Sequence, residues 1–245
     1  MILQITELEY NIFFVLTIIL IIIKFALSSF LAVKIYKRKK ETGKFTYGFV
    51  FGVFVFISSM LVSRVLFLYF DFYLTRFNPS TYHEMPNLLV WKVAMYIYTI
   101  GGSVFVYIID KKIFDYKFKG ILSYLLLILG TIQLLYPVNT AEDFQIISIL
   151  DVRFLIIGIV LPLYFFYLAW SPSPNRILCI TIATGIIFYM LGAAITIEYV
   201  MTQLTSTFGR EIRITIYFIS LILKVLGLFL CVHSMISFAS KFSQS

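Results

Sequence analysis

The stretch Ile12–Lys40, IFFVLTIILIIIKFALSSFLAVKIYKRKK, decides the fold. From Ile12 to Val33 it carries a single charge, Lys24, and it ends on a cluster of basic residues. A helix rising 1.5 Å per residue needs about 20 mainly apolar residues to cross roughly 30 Å of hydrocarbon. The run is far longer than a barrel strand and lacks its alternation. It therefore reads as a transmembrane helix with a basic stop signal behind it. Lys37–Lys40 doubles as a candidate docking patch for anionic lipid. The residues ahead of the run carry Glu7 and Glu9 where a secretory leader would be basic, so the segment is expected to stay in the mature chain.

The same texture continues outward. Of the 245 residues, 61% are hydrophobic and 13% charged, with a mean hydropathy of +0.97; a soluble domain carries roughly a quarter charged residues. Further apolar runs cover Tyr47–Phe70, Leu88–Ile109, Ile121–Tyr136, Phe144–Trp170, Ile177–Gln203 and Ile214–Val232, separated by turn formers such as Asn78-Pro79-Ser80 and Ser171-Pro172-Ser173-Pro174. The expectation is an all-α, polytopic membrane protein. Residues 1–245 would form one seven-transmembrane helix bundle, multi-pass in the cell membrane, its fifth and sixth helices long enough to tilt. Gly101, Gly102, Gly130, Gly158, Gly185, Gly192 and Gly227 fall inside runs, where small residues let helices approach.

Loop charge sets the orientation. Lys34, Lys37, Arg38, Lys39, Lys40, Lys44, Lys111, Lys112, Lys117, Lys119, Arg176 and Lys241 fall on one side, against Arg76, Arg210 and Arg213 on the other. The basic side is cytoplasmic, so the N-terminus is expected outside and the C-terminus in the cytoplasm. Trp91 and Trp170 then fall at the interfacial depth that amphipathic rings prefer. Cys179 and Cys231 come near cytoplasmic helix ends, as packing residues or, on a sharper reading, acylation sites.

Eight charges remain within the spans: Lys24, Arg64, Asp71, Lys92, Asp151, Arg153, Glu198 and Lys224. Intramembrane charges are costly and normally face the bundle interior, which makes each a candidate for ligand binding or an ion pathway. Six lie in the outer halves of their runs, and Lys24 and Lys224 come near the midplane. Together they predict an outward-facing polar cavity with two more cations than anions, suited to a small anionic or amphipathic ligand. Arg64 and Asp71, seven apart, share a helix face, whereas Asp151 and Arg153 point to different neighbours. The alternative is a set of structural ion pairs.

A lysine in the middle of the seventh helix resembles the retinal lysine of microbial rhodopsins, with Lys224 in that place. The third run, however, has no carboxylate in its membrane portion, Ser220 stands one turn before Lys224, and the sixth run has no tryptophan. Retinal on Lys224 is disfavoured, and no cofactor is expected. Resemblance to G-protein-coupled receptors is topological, since Tyr107–Lys111 reads YIIDK in place of their acidic-Arg-aromatic triplet. Ser63–Pro79, SRVLFLYFDFYLTRFNP, followed by Trp91-Lys92, resembles uncharacterised seven-helix membrane proteins of archaea over the first half of the chain.

Two histidines, His83 and His233, sit on opposite sides of the membrane, so a metal site is not expected. No His-Glu-x-x-His, Gly-x-Gly-Asp, Cys-x-x-Cys or phosphate loop occurs, and an enzyme is not expected. Nor is nucleic acid a partner, because the basic pI comes from loop lysines. The leading expectation is a receptor-like sensor, with the bilayer, an anionic ligand and a cytoplasmic signalling partner as its contacts; only about a dozen residues follow the last run, so output would pass to a separate protein. The second is an anion or proton-coupled carrier or channel using Lys24 and Lys224, against which the lack of an internal repeat counts.

Overall fold

A computed structural model describes residues 5–43, 48–170, 175–209 and 211–242, with side chains except at 42, 152–157, 198–199, 202 and 239–242. Lys44, Tyr47, the Ser171–Pro174 turn and Arg210 lie outside the described residues, as do the side chains of Arg153, Glu198 and Lys241. Among the described residues all regular structure is helical. Five helices are long and apolar enough to cross a membrane: Glu7–Glu41, Phe49–Leu74, Asn87–Ile113, Arg176–Ala194 and Ile212–Phe238. Ile121–Leu135 and Gly158–Trp170 are apolar but shorter.

Helix α1 (Glu7–Thr42) has Glu7 and Glu9 in its first turn and Lys39 and Lys40 in its last, each opposite in sign to the helix dipole it meets. At 36 residues it is about 54 Å long, well beyond a hydrocarbon core, and its exposed lysines project past the apolar part. Its buried stripe reads Glu9, Phe13, Leu16, Thr17, Leu20, Lys24, Leu27, Ser28, Leu31. The remaining helices fall into two compact units, Ile21–Arg153 and Phe154–Ser245, the second including Glu7–Leu20 of α1.

In the first unit, α2 (Phe49–Leu68) runs on through a π-helical turn, Tyr69–Leu74. Next come α3 (Asn87–Ile113), α4 (Ile121–Leu135) and α5 (Ala141–Ile149). Helix α3 lies between α2 and α4 and is antiparallel to both. Lipid tails are as apolar as leucine, so close packing and hydrogen bonds hold such helices together. A Cβ on Gly52 would meet Ile108 at 3.0 Å, Gly101 sits against Ser59, and Phe56 stacks on Phe105 with centroids 5.0 Å apart. Across α3 and α4, the Ser103 hydroxyl donates to the Ser123 carbonyl (3.2 Å) and the Ser123 hydroxyl to the Ser103 carbonyl (2.8 Å). Ser28 and Ser58 share a 2.7 Å hydroxyl bond between α1 and α2.

The second unit holds α6 (Val152–Trp170), α7 (Arg176–Ala194), α8 (Glu198–Phe208) and α9 (Ile212–Phe242). Helices α7 and α9 are antiparallel and meet on glycine. A Cβ on Gly227 would lie 2.6 Å from the Gly185 carbonyl, and one on Gly192 2.8 Å from that of Ser220. The start of α1 runs parallel to α9, since Glu9 reaches Arg213 at 3.9 Å and, one turn on, Phe13 stacks on Tyr217 at 3.7 Å.

Two expected helices are broken. The fifth apolar run divides at Leu150-Asp151 into α5 and α6, because Leu150 N–H and Asp151 N–H turn back to Ile147 and Ser148 while the Gln133 amide donates to the Ile147 carbonyl. The Ile147 carbonyl thus takes a tighter-turn N–H from Leu150 and a second donor from α4. The sixth run divides at Ile195–Ile197, where Thr196 and Ile197 N–H groups close short turns onto Ala193 and Ala194. Trp91 also departs from expectation. It is buried against Phe144, with ring centroids 4.8 Å apart, while Trp170 is 90% exposed as an interfacial ring should be. Cys179 is buried and the Cys231 thiol leans on the Ile182 carbonyl at 3.7 Å, so both behave as packing residues.

Because α7 and α9 meet backbone to backbone, Gly227→Ala must push them apart. Overpacking of this kind costs about 1–3 kcal/mol; detergent-denaturation curves should show that loss, with Gly209→Ala, exposed but at φ +88°, losing less.

Candidate functional site

Of the eight charges, Arg64 and Asp71 are brought together. The guanidinium Nη1 lies 4.0 Å from the carboxylate Oδ2, across the π turn that continues α2. The extra residue per turn in a π segment re-aims side chains and often marks a functional position. Beyond it, Thr75 donates its N–H and hydroxyl to the Phe70 carbonyl, ending the helix. Phe70, Tyr82, Phe144 and Trp91 then form a chain of ring contacts at 5.1, 5.4 and 4.8 Å that roofs this end of the first unit.

Under that roof Lys92 donates from Nζ to the Tyr136 carbonyl at 2.6 Å. Tyr136 is the C-cap of α4, where unsatisfied carbonyls give the helix dipole its negative end. Asp151 accepts from the Gln133 amide at 2.9 Å, and that same amide donates to Ile147 at 3.0 Å. Gln133 is 2% exposed. It ties α4 to the junction of α5 and α6, and sequence reasoning passed over it. The signal was one amide within ILSYLLLILGTIQLL.

Lys224, in the second unit, reaches Thr196 Oγ1 at 3.4 Å. One turn earlier the Ser220 hydroxyl donates to Gly192 at 2.6 Å, and Thr196 donates its own hydroxyl to Ala193 at 2.9 Å. The lysine thus attends the C-terminal end of α7, whose 19 residues span about 28 Å from Arg176. That places its ammonium at the end of α7, while its own backbone lies near the middle of the Ile212–Phe238 span. Lys24 behaves differently. It is 3% exposed, the only buried lysine among the described residues, and it occupies the core-facing stripe at the centre of α1.

Two buried acids outside the expected set also hold structure. Glu9, 4% exposed, faces Arg213, whose guanidinium carbon lies 6.0 Å over the Phe13 ring. Asp110, 3% exposed, accepts from Phe118 N–H (3.0 Å) and Gly120 N–H (2.6 Å), fixing the loop into α4. No group of three or more His, Cys, Asp or Glu suited to a metal occurs among the described residues.

No protein-family model, curated protein or solved structure matches the chain. The functional reading therefore rests on its own geometry.

Helix α5 opens with a capping box: Asp143 N–H donates to Thr140 Oγ1 at 3.1 Å, and Asp143 Oδ2 accepts from Thr140 N–H at 3.0 Å and Asn139 N–H at 2.9 Å. The Asn139 N–H, first, and then the Thr140 hydroxyl hold this carboxyl below its ordinary value. A depressed folded pKa adds stability above the ordinary carboxylate value, roughly pH 4, and loses it as pH falls through the folded value. Hydrogen-exchange protection of α5, normalised to intrinsic rates, should accordingly fall on acidification below about pH 4. Asp143→Asn should be weaker at neutral pH and flat through that window.

Proposed function

We propose that the chain crosses the membrane seven times, with its N-terminus outside and C-terminus in the cytoplasm, as a receptor-like sensor of a small anionic or amphipathic ligand held beside Lys24. Parity is compatible with the count: the start of α1 runs parallel to α9 and α7 antiparallel to it, as any odd number of crossings, five or seven, requires. Helix α4 turns back along α3 through the Ser103–Ser123 pair, which supports reading it as a crossing and α6 as its partner. The basic end of α1 and the Lys111–Lys119 loop then share the cytoplasmic side.

The observation that carries the ligand reading is the burial of Lys24 to 3% at the middle of α1, in a stripe whose other polar members there are the neutral Thr17 and Ser28. A cation enclosed at mid-span is expensive and characteristically functional. An anion arriving there gains a charge-assisted hydrogen bond in a medium of low dielectric. A carrier would call for a row of ionisable groups along a pathway, and Lys224 is occupied at a helix end.

Thermal-shift titrations of the protein in nanodiscs, with a panel of fatty-acid and lysophospholipid anions, test the reading. At least one anion should stabilise the wild-type chain saturably, and Lys24→Gln should bind it about tenfold or more weakly, as loss of a hydrogen bond to a charged group implies. Equal binding by both, or saturable anion flux in proteoliposomes that Lys24→Gln abolishes, would overturn the sensor assignment.

A further inference from the structure

The α3–α4 corner carries chemistry that neither the fold nor the ligand reading uses. Lys111-Lys112-Ile113-Phe114-Asp115-Tyr116-Lys117-Phe118-Lys119 interleaves four exposed lysines with two exposed aromatic rings, Tyr116 and Phe118. The one acid in the exposed set is Asp115, so the surface remains strongly cationic.

This corner is built, not slack. Buried Asp110 takes the Phe118 and Gly120 N–H groups on its two oxygens, and its carbonyl takes Tyr116 N–H at 2.9 Å. Asp115, Tyr116 and Lys119 hold positive φ, as does Gly120, where a Cβ would also meet Tyr124 at 3.1 Å and Tyr107 at 3.4 Å. Left-handed backbone at three non-glycine positions is costly and persists where the surroundings over-determine it. The Tyr116 ring meets Tyr107 edge-on at 6.0 Å. Phe118 is likewise pinned edge-on against buried Phe114 at 5.3 Å.

Rigid lysines and half-exposed aromatic rings at the end of a membrane-length helix match the headgroup layer, where rings anchor and ammonium groups meet phosphate. We propose that the Lys111–Lys119 corner, ordered by Asp110, is a binding surface for the phosphate headgroup of an anionic lipid in the adjoining leaflet. Soluble partners fit it less well, because the two rings would face water in their absence. The inference rests on the membrane topology proposed above and not on a ligand at Lys24.

Native mass spectrometry of the delipidated full chain, titrated with phosphatidylglycerol or phosphatidylcholine, provides the test. Phosphatidylglycerol adducts should be retained at least about tenfold more tightly, given about fivefold for each contributing lysine. The variant Lys111→Gln/Lys112→Gln/Lys117→Gln/Lys119→Gln should lose that preference. Lys37→Gln/Arg38→Gln/Lys39→Gln/Lys40→Gln, which removes the same charge from α1, should keep it. Asp110→Ala should weaken retention with all four lysines present and speed tryptic cleavage at Lys117 and Lys119. No preference for phosphatidylglycerol, or equal loss in the two quadruple variants, would overturn the proposal. Should Asp110→Ala fail to fold, the two lysine variants alone decide it. The seven-crossing reading fails separately, if labelling of Lys117→Cys in sealed vesicles places the corner on the same side as Thr140→Cys.

Discussion

A helix end beside hydrocarbon has carbonyls or N–H groups that its own backbone cannot satisfy and water reaches poorly. Much of the polar chemistry of this protein answers that constraint. Lys92 meets the C-cap of α4, and Gln133 meets Ile147 where the fifth apolar run breaks. Ser220 and Thr196 take the last carbonyls of α7, with Lys224 beyond them. Asp110 and Asp143 do the same work for N–H groups leading into α4 and α5. Charges that look anomalous inside apolar sequence become ordinary once the helix ends are located.

Lys24 differs from these groups in its place along the helix. It sits in mid-helix, in a core-facing stripe, with only 3% of its surface exposed. Burying an ammonium group in mid-helix is costly, and the ligand site proposed at Lys24 rests on that cost.

Element type was legible wherever composition alone decides it: the runs from Ile12, Leu88 and Ile214 became α1, α3 and α9, each longer than its apolar part. The breaks at Leu150-Asp151 and Ile195–Ile197 were not legible, because both sit in unbroken apolar sequence and depend on partners, Gln133 and Ser220, distant along the chain. Lys224 lies well inside its apolar run, yet α9 continues past the end of α7, so its contact with that helix end was not legible from position in the run. The pairing of Arg64 with Asp71 was readable from a spacing of seven on one helix face. Gln133 and Asp110 escaped notice because one polar residue in an apolar run carries no pattern, and its partner is a backbone group.

The depth of the turn after α7 tests the central claim most directly. A nitroxide on Ile197→Cys, an exposed position beside Thr196, would be compared with one on Phe229→Cys, exposed along α9 level with the body of α7. Cys179 and Cys231 would be replaced by alanine. If polar residues serve helix ends, the label at 197 collides readily with an aqueous nickel chelate, and the label at 229 collides mainly with oxygen. Oxygen-dominated collision at both sites would put the α7 terminus and Lys224 in mid-membrane and contradict the account.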